Sequence, residues 1–182
     1  MLALAPSFDW DAFHHLAYGR DVLRRGGFAP EDPFLYPLAG RPSGPQPSWL
    51  GSIAFYAAWL VAGDAGPALL TALLAAATFA VVVADAAEAW DGSAADALAA
   101  LVPVALALAV HRARAVPRPE AFANLLLAAL LLALRRSGRS RIAALSVAPA
   151  LALWANVHQS VLAGLFAAGV FVAVNGALHA AG

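Results

Sequence analysis

The sequence predicts an all-α fold, a polytopic transmembrane helical bundle preceded by an extracytoplasmic loop with amphipathic or interfacial helices. Two observations carry this expectation. The 182 residues are 62% hydrophobic and only 12% charged, about half the charge of an ordinary soluble domain. Their mean hydropathy is +0.74. After Trp49 the chain is also a series of apolar blocks with short polar punctuation. Lipid is therefore the expected solvent and the bilayer the expected partner. All eleven basic residues are Arg and balance eleven acidic ones. That neutrality, with no basic stripe interleaved with aromatics, argues against a nucleic-acid partner. Cysteine is absent, which excludes disulfides, thiol nucleophiles and thiolate metal sites.

Residues 1–48 are polar, aromatic and rich in Pro and Gly, and read as an extracytoplasmic loop containing a short amphipathic helix. From Asp9 to Arg25 the chain suits such a helix, with Phe13, Leu16 and Leu23 near one face and Gly26-Gly27 ending it. Residues 49–62 are apolar but short, bounded by Pro47 and Gly63-Asp64, and carry Trp49, Tyr56 and Trp59. Aromatic residues of this kind favour the membrane–water interface, so this block reads as an interfacial or re-entrant helix. The remainder, 63–182, reads as a membrane domain of about five spans at 65–88, 93–111, 119–135, 142–157 and 160–179. A span needs ~20 apolar residues, fewer where flanking Arg or polar groups snorkel.

Charge asymmetry orients these spans. Arg135, Arg136, Arg139 and Arg141 form the densest basic loop and are expected in the cytoplasm. Counting outwards from it places 89–94 inside, and 111–118 and 156–159 outside. If 49–62 does not cross, residues 1–47 also lie outside, and three polar segments share one face. Arg112, Arg114 and Arg118 are then on the less usual side for basic residues. No long block has a charge at its midpoint, which disfavours an ion or proton pathway.

Each polar segment has a chemical and a structural reading. Asp11 and His15 are four apart, hence neighbours on a helix; the pair suits a general base or, with Asp9, a divalent-cation site. Equally, Asp9 and Asp11 cap the helix and complement its dipole. Arg112, Arg114 and Arg118 suit bidentate binding of a lipid phosphate, or snorkel at a helix end before Pro119 and Glu120. Asn156 and His158 could orient a sugar or head group, or simply form a helix-connecting turn. Nothing matches a Walker loop, a dinucleotide fingerprint, a zinc-protease His pair or a nucleophile elbow.

Taken in order, Asp9-x-Asp11-x-x-His14-His15-Leu16-x-x-Gly19-Arg20, Pro30-x-Asp32-Pro33-Phe34, Gly40-x-Pro42 and Trp49-Leu50 resemble the first outer loop of bacterial GT-C superfamily glycosyltransferases. Arg118-Pro119-Glu120 and Trp154-Ala155-Asn156-Val157-His158 fit the same pattern, so the likeness runs in scattered motifs over residues 7–175. The resemblance implies inverting sugar transfer from a polyprenyl-phosphate-linked donor at the outer face of the cytoplasmic membrane. It also implies that Asp9 and Asp11 act as base or hold a metal. His15 would be their partner, with the three Arg on the donor phosphate and Asn156 and His158 lining the site. Where the group often has an acidic residue before the Trp this chain has Ser48, and Gln159 stands where Gly is usual. A helix normally precedes the acidic motif, and relatives are longer. The chain is therefore expected to be the N-terminal part of such a protein, with other membrane helices as partners. A non-catalytic membrane subunit is the alternative, and a transporter fragment a more distant one.

Overall fold

The computed structural model describes residues 10–31, 34, 42, 44–89, 92–93 and 116–181. Among the described residues there are six helices and no strand beyond an isolated bridge between Glu31 and Pro42. They are α1 (Trp10–Arg25), α2 (Trp49–Ala62), α3 (Ala65–Ala89), α4 (Glu120–Arg136), α5 (Arg141–Val157) and α6 (Val161–Ala181). The predicted span at 93–111 falls almost wholly outside the described residues.

Helix α1 forms because its ends are electrostatically matched: Asp11 lies in the first turn, Arg24 and Arg25 in the last. Gly26 ends it with a φ of 67°, and the Gly27 amide donates to the Val22 carbonyl at 3.2 Å, a Schellman-type closure. Ala12, Tyr18, Gly19 and Val22 are buried and, with half-buried His15 between Ala12 and Tyr18, form one stripe at helical spacing. That stripe lies on α2. At their closest approach Gly19 meets the Ser52 carbonyl, leaving no room for a Cβ.

The 14 residues of α2 reach only about 21 Å at 1.5 Å per residue, well short of a ~30 Å hydrocarbon core. Its aromatic rings link it outward. Trp49 meets Phe28 edge-on at 5.4 Å, Phe55 meets Phe122 of α4 at 5.9 Å, and Tyr56 stacks on Trp59. Gly63, at φ 56°, turns the chain so that α3 starts against α2, with Gly66 on the Ala58 carbonyl.

Among the described residues two helices, Ala65–Glu88 and Val161–Leu178, are long and apolar enough to cross a membrane. Within α3 the hydroxyls of Thr71 and Thr78 donate to carbonyls one turn back at 2.9 and 2.8 Å, so neither presents an unmet donor to an apolar surrounding. Along α6, Leu162, Phe166, Val172 and Leu178 point outward, an apolar surface of the kind that faces lipid or another helix. Helices α4 and α5 have 17 residues each, about 26 Å. A buried apolar cluster of Ala123, Leu130, Leu134 and Trp154 joins α4 and α5, with Val161, Ala168 and Phe171 packed against it. Trp154 is held in place by Gly164, where a Cβ would come within 2.6 Å of its ring.

The C-terminal ends of α3 and α4 are tied by charge. Arg135 pairs with Asp85 and, at 2.9 Å, with Glu88; Arg136 also pairs with Glu88. The N-terminus of α4 is about 26 Å away, and the polar segments gather there.

Candidate functional site

At that end a cavity of about 350 Å³ is lined by Asp11 and His15 from α1, Gln46 to Ser48 before α2, Arg118 to Glu120 at the start of α4, and His158 and Gln159 after α5. Its size falls at the lower end of the range for small-molecule sites. Two glycines allow the elements to converge. Gly19 lets α1 settle on Ser52, and Gly51 sits where a Cβ would be 2.9 Å from Pro119 Cβ and 3.0 Å from the Val157 carbonyl. A side chain at either position would separate walls of the cavity.

Of the eight candidate residues, the structure brings four into this lining: Asp11, His15, Arg118 and His158. Asp9, Arg112 and Arg114 lie outside the described residues. Asn156 is not among the lining residues. Its Oδ1 accepts from the Trp49 indole N–H at 3.0 Å, and its Nδ2 donates to the Ala152 carbonyl at 2.8 Å. It thereby ties the start of α2 to the end of α5.

Arg118 Nη1 is 3.2 Å from Asp11 Oδ2, an ion pair joining the segment just before α4 to α1. Both side chains retain substantial exposure, 36% and 61%, so the pair contributes on the order of 1 kcal/mol or less. His15 Nδ1 lies 2.9 Å from Ser52 Oγ, whose hydroxyl donates to the Ser48 carbonyl at 3.0 Å. Burial pushes the His15 pKa down to about 4. The neighbouring His14 adds to that effect, as His158 and Arg118 do more weakly, while Asp11 opposes it. His158 is also lowered by burial, with Glu120 opposing. Both rings are therefore neutral at pH 7. His14 is not among the lining residues; its Nε2 lies 3.2 Å from Gln46 Oε1 and its ring packs on Tyr18 and Phe34.

No protein-family model, curated protein or solved structure matches the chain. Its chemistry therefore rests on the cavity itself.

The arrangement offers a carboxylate, a guanidinium and two neutral imidazoles around one space, with Glu120 and two amide side chains beside them. Such a set can hold a hydroxylated ligand, orient a phosphate and move a proton. Among the described residues no group of three or more His, Asp or Glu side chains converges as a cation requires. Asp11 also already faces a guanidinium. A divalent cation would need Asp9 beside Asp11.

Ser52 and Ser160 take part through the two histidines, although no sequence motif singles them out. Ser52 is the lone hydroxyl of a serine or threonine within the apolar 49–62 block and is fully buried. A single small polar residue on an otherwise apolar helix was the available signal, since a buried hydroxyl implies a partner.

Proposed function

We propose that this chain is a segment of an integral membrane glycosyltransferase of the GT-C type. Its helices form a polytopic bundle in the bacterial cytoplasmic membrane. The cavity lies at the outer face and takes a sugar from a polyprenyl-phosphate donor. One observation carries the reading: Asp11, His15, Arg118 and His158, from three separate polar segments, line a single cavity at one end of apolar helices. The Arg135–Arg136 cluster lies at the opposite end of α4, which suits a cytoplasmic basic loop and an outward-facing cavity.

In the transfer step the acceptor hydroxyl loses its proton to a base on the α1 side. Its oxygen bonds to the anomeric carbon, and the bond from that carbon to the phosphate oxygen breaks with the electron pair leaving on phosphate. Arg118 is placed to take up the charge that develops there. Binding of the donor phosphate competes with Asp11 for the guanidinium, so donor binding would loosen the Asp11–Arg118 ion pair.

The test is glycan output in cells that depend on the full-length gene. An Asp9→Asn, Asp11→Asn double mutant and an Arg118→Gln variant should each lose the product while the protein still accumulates in the membrane. Unchanged output in both would remove the catalytic reading. The outward apolar face of α6 would then favour the second reading, a non-catalytic subunit that packs against other membrane helices.

A further inference from the structure

The two histidines of the cavity are each held by a serine, but in opposite senses. Ser52 Oγ has a single proton, which it donates to the Ser48 carbonyl at 3.0 Å. With that proton assigned to the carbonyl, which can only accept, it meets His15 Nδ1, 2.9 Å away, as an acceptor. Nδ1 of a neutral His15 carries the ring's one proton and Nε2 is left with a lone pair. His158 is fixed the other way. The Ser160 backbone N–H points at His158 Nδ1 at 3.2 Å, and an amide can only donate. The Ser160 hydroxyl lies 2.7 Å from the same nitrogen while its oxygen accepts the Trp154 indole N–H at 3.2 Å. Nδ1 of His158 is thus an acceptor, and its Nε2 carries the proton.

We propose that Ser52 and Ser160 are positioning residues that lock His15 and His158 in opposite tautomers, so that the cavity presents one proton acceptor and one donor to a hydroxyl-bearing ligand. The proposal rests on the transfer reading above and divides its labour. His15 Nε2 accepts the attacking hydroxyl's proton, becoming an imidazolium steadied through Nδ1–H on Ser52 Oγ. His158 Nε2–H donates to an oxygen of the sugar or of its leaving phosphate. Burial keeps His15 uncharged at neutral pH, so its lone pair remains open until substrate arrives. The bond that forms joins the acceptor oxygen to the anomeric carbon, and the pair from the broken bond leaves on phosphate.

The tautomers can be read without any activity. In detergent-solubilised protein labelled with ¹⁵N-histidine, long-range ¹H–¹⁵N spectra at pH 7 should show His15 protonated at Nδ1 and His158 at Nε2. The five histidines are assigned by single replacement with Gln. Ser52→Ala should abolish the His15 preference and leave the His158 signals in place; Ser160→Ala keeps the backbone N–H on His158 Nδ1, so it should preserve that tautomer and shift the His158 Nδ1 signal as the hydroxyl contact is lost, each unaffected ring reporting an intact fold. A wild-type His15 carrying its proton on Nε2 overturns the proposal, and that spectrum decides even if Ser52→Ala does not fold. So does a Ser52→Ala spectrum with His15 unchanged. In glycan assays Ser52→Ala should lower kcat about 10²-fold with KM little altered. If the tautomers are as stated but no transfer is ever found, the lock stands and the transferase reading falls. Transfer with the wrong tautomers removes the lock and leaves the transferase reading in place.

Discussion

Helix α4 joins two ends of this molecule that carry similar residues in different arrangements. At its C-terminal end Arg135 and Arg136 meet Asp85 and Glu88 directly, guanidinium to carboxylate. At its N-terminal end Arg118 meets Asp11 in the lining of a cavity shared with two neutral imidazoles. The first end uses charge to tie two helices together. The second keeps polar atoms around a space, with serines beside its two histidines and close-packed glycines that let its walls converge. Charge content alone would not distinguish them, whereas what stands behind each side chain does.

The comparison fails outright if the two ends share a side of the membrane. Because the chain has no cysteine, single Cys at Val116 and at Ser137 can be labelled by an impermeant thiol reagent, and should react from opposite faces. Next in size is function. His15→Gln should lower glycan output by about 10²–10⁴-fold, whereas Arg135→Gln at the other end should leave it intact. Packing gives the third contrast. Gly19→Leu should push α1 off the Ser52 carbonyl, destabilise the protein by about 3 kcal/mol and expose α1 to protease. Gly138→Ala, in open space at the far end, should change stability by less than about 0.5 kcal/mol.

A pH titration sharpens the same contrast. The folded-state pKa of His15, about 4, lies below its ordinary 6.5, so the unfolded chain takes up the proton first as pH falls. The stability that depends on a neutral His15 is complete above pH 6.5 and should decline towards pH 4, by up to about 3 kcal/mol. Thermal unfolding in detergent would show this. His15→Gln should flatten most of the slope, and His158, shifted in the same direction, should retain part of it. Smallest of all, Arg118→Gln and Arg136→Gln should each alter stability by about 1 kcal/mol or less, but only the first should reduce glycan output.

Much of the helical layout was legible because apolar block length and breaker residues report it directly. The 49–62 block, bounded by Pro47 and Gly63, is the 14-residue α2, and the amphipathic stretch before it is α1, ended at Gly26 as its glycine pair implied. The i, i+4 spacing of Asp11 and His15 likewise anticipated two neighbours on one helix. The serines and the part played by Asn156 were not legible. Ser52 and Ser160 act through tertiary partners that no periodicity encodes, and Asn156 reads in sequence like a ligand-facing amide. Its Oδ1 goes instead to an indole 107 positions away, a pairing set by how α2 crosses α5.

That long-range bond has a consequence for biosynthesis. Asp11 and His15 leave the ribosome early, whereas His158 and the Asn156 that anchors Trp49 arrive only after several apolar helices have been made. A nascent chain interrupted before residue 156 would insert its hydrophobic segments and still have no closed cavity. Competence would appear in a single late step as the turn between α5 and α6 docks, and chain-length series should show it as a threshold.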